Sequence, residues 1–246
     1  NNTIVNMDYY NFNIQSATNL NVGINDAAKF QISYLGHASG SATSTGSFGK
    51  VLSAGGVFEG AGGSSLTIDS SNIALGYQAL TSSTSATNNV AIGSSAGISV
   101  TSGTANNLIG YYAGRYISTG EYNTMFGSET GAHMNASSNT FIGYYAGRGS
   151  SSSSPYGNGA NNVAIGREAL KAISSGSFNV AIGRDSLKIA TDGDHNIALG
   201  YSSGVALTSG DDNVLIGKNT AINLSTGTNN IAIGENALYL ENSGTY

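Results

Sequence analysis

Asn162-Val163-Ala164-Ile165-Gly166-Arg167-Glu168-Ala169-Leu170-Lys171 is the stretch that decides the fold, because altered copies of it return from residue 72 onward. Its glycine recurs at Gly76, Gly93, Gly110, Gly127, Gly143, Gly166, Gly183, Gly200, Gly217 and Gly234. Each follows the last by seventeen positions, except Gly143, which comes one position early, and Gly166, which comes six late. A period held this closely marks a stack in which each repeat is one coil. Four residues before every glycine stands an asparagine: Asn72, Asn89, Asn106, Asn123, Asn139, Asn162, Asn179, Asn196, Asn213 and Asn230. Asn tolerates left-handed backbone and satisfies neighbouring backbone groups with its side chain. Ten aligned copies therefore predict a structural ladder of turn-closing amides along the stack.

The three residues between Asn and Gly, such as Val163-Ala164-Ile165, read as a short strand whose outer two side chains face one way and whose middle one faces the other. Both faces are apolar, and strands of that kind are covered on both sides. A coil of two short strands and two turns has only one interior. The expectation is that identical chains cover the second face, with the alanines at the contact; three copies around a threefold axis suit a narrow roll, and two are the alternative. After the glycine a second strand is expected in two phases. Leu170, Leu187 and Leu238 pair with Ala172, Ile189 and Leu240, whereas Ile98 with Val100, Val205 with Leu207 and Ile222 with Leu224 sit one place on. Such a slip predicts bulges at Gly97 and Gly204. Gly103, Gly120, Gly176, Gly193, Gly210 and Gly227 suit positive-φ turns.

The expected fold class is all-β: a parallel β-roll or β-solenoid with coils of about 17 residues, with an intertwined or side-by-side homotrimer as the expected assembly. A short irregular β region should precede it, because Phe12 and Ile14, then Leu20, Val22 and Ile24, then Phe30 and Ile32 alternate with polar neighbours. Residues 36–71 are rich in Gly, Ser and Thr and read as a connector. The expected division is 1–65 for the N-terminal region and 66–246 for about ten coils. Glu241-Asn242-Ser243-Gly244-Thr245-Tyr246 repeats the approach to a ladder Asn, so the stack is expected to continue past residue 246.

Composition narrows the chemistry. Gly accounts for 35 of 246 residues and charged residues for only 9%, yet a single proline and a strict apolar period argue for order. With no cysteine there is no disulfide or thiolate metal site. A net charge of -5 without a basic cluster argues against nucleic acid. No apolar run approaches the ~20 residues of a membrane-spanning helix, so no membrane insertion is expected. Glu129, Glu168, Asp185 and Glu235 are scattered over different coils, whereas polysaccharide cleavage needs convergent carboxylates. No catalytic residue and no cofactor is expected.

Recognition has three candidate places. The residue after the glycine is Tyr77, Tyr111, Tyr144 or Tyr201 in four coils and Arg167, Arg184 or Lys218 in three others. Pointing outward, this stripe suits sugar rings or acidic glycans; alternatively the tyrosines pack between chains. The insertion Arg148-Gly149-Ser150-Ser151-Ser152-Ser153-Ser154-Pro155-Tyr156-Gly157-Asn158-Gly159 either forms a receptor-contacting loop, with Arg148, Ser152, Pro155 and Tyr156 foremost, or is a tolerated insertion without a role. Asp192, Asp194, Asp211 and Asp212 form an acidic patch at adjacent turns, either a weak Ca²⁺ candidate or solvated turn aspartates. His37, His133 and His195 share no spacing.

The Asn-x-Val-Ala-Ile-Gly cadence resembles the β-roll heads of trimeric autotransporter adhesins, whose coils are usually shorter. Asn72-Ile73-Ala74-Leu75-Gly76-Tyr77-Gln78-Ala79-Leu80, with the turn Ser225-Thr226-Gly227-Thr228-Asn229-Asn230, resembles more closely the long repeats of bacteriophage tail-fibre proteins, and the likeness extends over residues 72–246. Asn21-Val22-Gly23-Ile24 with Lys29-Phe30-Gln31-Ile32 is also similar to a segment of such proteins. Many of them end in a self-cleaving chaperone domain, to which nothing here corresponds. The resemblance implies a homotrimeric structural protein of the virion, a tail fibre that engages other tail or baseplate proteins and a host-surface receptor, with a glycan as one form of receptor. The alternative it implies is an adhesin head on a bacterial cell surface; a polysaccharide-cleaving tailspike comes third.

Overall fold

The computed structural model describes residues 56–59, 65–68, 71–150, 157–240 and 242–243, and among these it is all-β. Ten short strands run in sequence order: β3 (Ile73–Gly76), β4 (Val90–Ile92), β5 (Asn107–Ile109), β6 (Thr124–Phe126), β7 (Thr140–Ile142), β8 (Val163–Ile165), β9 (Val180–Ile182), β10 (Ile197–Leu199), β11 (Val214–Ile216) and β12 (Ile231–Ile233). Each pairs in parallel with the equivalent positions of the next, so that Val163, Ala164 and Ile165 lie beside Val180, Ala181 and Ile182. The architecture is a parallel β-solenoid, and in its regular coils equivalent residues such as Asn72 and Asn89 stack at a sequence separation of 17.

Ahead of the stack, β1 (Gly56–Glu59) and β2 (Ser65–Ile68) form an antiparallel hairpin, and β2 pairs antiparallel with β3. Part of the stretch read as connector therefore extends the sheet to twelve strands. Its two apolar alternations are only four residues each and are hidden among the surrounding Gly and Ser. The compact unit that holds the stack runs from Val51 to Tyr246. The alternations read between Phe12 and Ile32 lie outside the described residues.

Among the described residues the expected second strand does not form. In the regular coils the chain makes two turns in succession after the motif glycine, as in the bonds from Ala96 N–H to the Gly93 carbonyl (3.2 Å) and from Val100 N–H to the Gly97 carbonyl (3.0 Å). The backbone dictates this. The second and fourth residues after the glycine, and the residue before the ladder Asn, adopt left-handed torsions, as at Glu168 (φ 60°), Leu170 (φ 49°) and Phe178 (φ 60°). Left-handed residues break an extended run, and for L side chains other than Asn and Asp they are costly.

Gly97 and Gly204, read as bulges, occupy this fourth position with φ 57° and 59°, the same conformation that Leu170 and Leu187 adopt. There is consequently no slip between two phases. The seventh residue after the glycine is buried in both kinds of coil, as Val100 and Leu207 or as Ile173 and Ala190, whereas Ile189 and Leu240 are exposed.

One interior runs through the coils, and its volume is traded between two positions. Where the middle strand residue is large, the fourth residue after the glycine is small: Leu108 with Gly114, Met125 with Gly131, Phe141 with Gly147, Leu215 with Ala221. Where the strand supplies Ala164 or Ala181, the turn supplies Leu170 or Leu187. Two coils are small at both positions, and there the space is filled from both sides: a Cβ on Gly97 would strike Leu80 and Leu108, and one on Gly204 would strike Leu187 and Leu215. Interiors are close-packed, so such exchange keeps the layers level.

The expectation that neighbouring chains hide the alanines is overturned. Ala91, Ala164, Ala181 and Ala198 are fully buried within a single chain. The inward-facing member of each strand is the middle one; the flanking residues point outward and form a stripe that includes Ile73, Leu75, Phe126, Ile142, Ile182 and Ile197, all at least 36% exposed. Both faces are apolar, as expected, but the interior lies on the other one. Giving the coil a second strand, and the inside to that strand, is what misplaced it.

The coil between Gly127 and Gly143 shows how a lost residue is accommodated. In a regular coil three successive amides converge on one carbonyl of the next coil: Thr101, Ser102 and Gly103 donate to Ser118 O at 3.0, 3.3 and 3.2 Å. Where the short coil is the acceptor, Ser118, Thr119 and Gly120 of the preceding coil donate instead to the side-chain Oδ1 of its Asn135, at 2.9, 3.1 and 3.3 Å. The amide side chain stands in for a peptide carbonyl. Asn135→Ala is expected to lower stability by about 1–3 kcal/mol, because these amides lose their acceptor. Denaturant unfolding measures this, and a wild-type midpoint would contradict it.

Candidate functional site

The ladder asparagines are buried on one line inside the stack. Asn179 is representative: its Nδ2 donates to the Gly193 carbonyl at 2.7 Å, and its Oδ1 accepts from the backbone N–H (3.0 Å) and Nδ2 (3.1 Å) of Asn196 in the next coil. From Asn72 to Asn213 each side chain closes its own coil in this way and binds the coil above it. Left-handed backbone falls on the preceding residue, such as Asn88, Phe178 or His195, and not on the ladder itself.

Glycine predominates in two columns for different reasons, although Ala86 and Ala136 stand in the second. The motif glycines have φ between 125° and 138°, and a Cβ on Gly166 would lie 2.7 Å from the carbonyl of Gly183. The turn glycines Gly103, Gly120, Gly176, Gly193, Gly210 and Gly227 do not have the expected positive φ. The first five are small because a side chain there would overlap the carbonyl at the same level of the next coil, as Gly103 against Gly120. A stacking constraint of that kind acts a whole coil away along the chain and leaves no local signal.

Tyr77, Tyr111, Tyr144 and Tyr201 are 45–50% exposed, and Arg167, Arg184 and Lys218 are also on the surface. The rings do not stand alone. Tyr111 lies against Tyr112 with centroids 4.0 Å apart, and Tyr144 stacks on Tyr145 at 3.9 Å. Arg115 covers Tyr112 (4.2 Å) and Tyr116 (4.8 Å), Arg148 and Lys171 cover Tyr145 (5.0 and 5.3 Å), and Arg184 covers Tyr201 (5.7 Å). The hydrogen bond with Tyr144 pushes the Tyr145 phenol up to about 12. The turn face between Gly110 and Gly183 is therefore an aromatic and cationic surface.

The carboxylates read as isolated are tied into this face. Glu129 accepts from Arg148 Nε at 3.0 Å and from the Tyr145 hydroxyl at 3.3 Å. Glu168, with 9% of its side chain exposed, receives Lys188 at 2.8 Å and Lys171 and Arg167 at 3.3 Å each; Lys188 also reaches Asp185 at 3.1 Å. The Lys188 bond, aided by Lys171 and opposed by burial, holds the Glu168 carboxyl down at about 2. The Arg148–Glu129, Tyr145–Glu129 and Lys188–Glu168 bonds join successive coils, whereas those from Lys171 and Arg167 to Glu168 and from Lys188 to Asp185 stay within one. Following only the position after the glycine misses Tyr145, Lys171, Lys188 and Glu129. A signal for the cations is present: Arg148, Lys171 and Lys188 are each the fifth residue after their glycine.

The acidic turns serve the backbone. Asp194 Oδ1 accepts the Ser177 amide at 2.6 Å, Asp211 Oδ1 accepts the Asp194 amide at 2.8 Å, and Asp192 accepts the Ser175 hydroxyl at 2.7 Å. Asp212 sits in the left-handed position before ladder Asn213, with φ 58°. Among the described residues no three His, Cys, Asp or Glu side chains gather to hold a metal ion. His195 stacks on Phe178 at 5.0 Å. Burial, aided by Arg148 and Arg115, keeps the His133 pKa low.

Of the insertion, residues 148–150 and 157–159 are described; Ser152, Pro155 and Tyr156 lie outside the described residues. The stack closes across it. Gly157 bridges to Met134, whose sulfur occupies the space where a Cβ on Gly157 (2.7 Å) or Gly149 (3.1 Å) would go. No protein family, curated protein or solved structure compared with the chain matches it.

Proposed function

We propose that the chain is a structural segment of a bacteriophage tail fibre, acting as a homotrimer that links the virion to the host cell surface or presents a tip for binding it. The observation that carries this reading is the parallel stack with a stripe of apolar side chains outside it, from Ile73 to Ile197. A repeating stripe complements its own copies about a symmetry axis, which turns a thin coil into a stiff rod. Length then comes from repetition and resistance from continuous hydrogen bonding along the Asn ladder. The tyrosines and basic side chains on the turns face outward and suit a receptor, while the carboxylates are engaged in ion pairs that serve cohesion rather than catalysis.

Immunogold electron microscopy with antibodies against this chain tests the assignment. Gold confined to the tail fibres of virions is the expected result. Gold on the envelope of uninfected bacteria would replace it with the adhesin.

A further inference from the structure

Arg148, Lys171 and Lys188 occupy the fifth position after the glycine in three consecutive coils and so form a column with a spacing of about 4.8 Å. With Gly149, Ser150, Ala172 and Ile189 they line a cavity of about 280 Å³ on the surface of the stack. The lining thus combines three cations with one hydroxyl and an otherwise uncharged, mostly apolar remainder. Tyr145 lies beneath two of these cations, with Arg148 and Lys171 over its ring. Arg167 and Arg184 stand next to the column, paired with Glu168 and Asp185. These five cations share three carboxylates, Glu129, Glu168 and Asp185, which leaves a local charge of +2 in a chain whose net charge is -5.

The carboxylates are not available to repel a ligand. Glu168 is almost wholly covered by its lysines, and Glu129 is held by Arg148 Nε and Tyr145. Arg148 carries five N–H donors and needs only Nε for Glu129; each lysine has three. The side chains are 23%, 33% and 34% exposed, so they are held in place and remain reachable. A held cation loses little freedom on binding an anion, which favours recognition over transient screening.

We propose that this cavity binds one negatively charged sugar unit of a host-surface glycan, its anionic group on Arg148, Lys171 and Lys188 and its ring over Gly149, Ala172 and Ile189. The volume is near the lower end of small-ligand sites and suits a single ring rather than an extended chain. The proposal rests on the tail-fibre reading for the source of the glycan, while the chemistry of the site stands on its own residues. It differs from the tyrosine stripe in position and in demanding charge.

Titration calorimetry on the whole chain tests it, with oligogalacturonate as the carboxylate probe, mannose 6-phosphate as the phosphate probe and the methyl ester of oligogalacturonate as the neutral match. Saturable binding of an anionic probe, weakening as salt rises, with at least tenfold weaker binding of the ester, is the expected result. The tighter of the two anionic probes identifies the group recognised. Lys171→Gln keeps a donor for Glu168 and removes the charge, and should weaken binding at least tenfold. Ala172→Phe fills the cavity and should abolish binding, with the thermal midpoint recorded alongside. No binding of either anionic probe, equal binding of the ester, or wild-type affinity in folded Lys171→Gln would overturn the proposal. Such a failure with gold still on the tail fibres would leave the fibre reading standing; gold elsewhere with binding intact would remove the fibre and keep the site.

Discussion

Ala164→Glu is expected to prevent the stack from folding. Ala164 is fully buried, flanked in register by Phe141 and Ala181, inside an interior already filled by Leu170. A glutamate there has no room and no partner, so it combines overpacking with an unpaired buried charge, a loss of about 4 kcal/mol or more. Circular dichroism and denaturant unfolding report the loss directly. The outcome separates two geometries: if the alanines lay between chains, the variant would be a folded monomer, whereas in the single-chain interior the fold itself fails. A soluble, cooperatively folded Ala164→Glu monomer would therefore sink the placement of the core.

Gly183→Ala should be nearly as severe from the addition of one methyl group. Gly183 has φ 130°, a region that L residues avoid, and the added Cβ would run into the backbone carbonyl of Gly200 in the next coil. The obstacle is backbone in a column of equivalent glycines, so neither coil can yield without disturbing its neighbours. Strain and overlap together should cost about 3–5 kcal/mol. Thermal unfolding measures the loss, and a midpoint equal to that of the wild type would contradict the steric column.

How much of this could be read from the sequence depended on the range of the cause. The parallel stack, the coil length and the aligned asparagines follow from a period that Gly76 to Gly234 keep almost without error. The path within a coil did not follow, because apolar residues two apart, such as Leu187 and Ile189, imitate a strand. Only the left-handed torsion at Leu187, with φ 47°, shows that they part company, Leu187 inward and Ile189 outward. Composition hides such torsions when a residue other than Gly or Asn adopts them. The role of the turn glycines was missed for a related reason. Gly103 is small for the sake of Gly120, one coil away, and a reader of local turns credits it with freedom of φ instead.

The candidate site was legible in its parts and not in its assembly. Tyr111, Tyr144 and Arg148 were singled out, but their partners Arg115, Tyr145, Lys171 and Glu129 come from other positions of the repeat and meet them only across the turn. The carboxylates illustrate the same limit. Glu168 has Arg167 and Lys171 close by in sequence, yet its shortest ion pair, at 2.8 Å, is to Lys188 of the next coil.

Sedimentation equilibrium of the wild-type chain and of an Ile142→Glu/Ile182→Glu variant tests most directly whether the outward stripe joins copies of the stack. The wild type should sediment at three times its chain mass of 24.9 kDa, and the variant as a folded monomer, since both isoleucines point away from the interior. A wild-type monomer, or a variant that keeps the wild-type mass, would contradict the account.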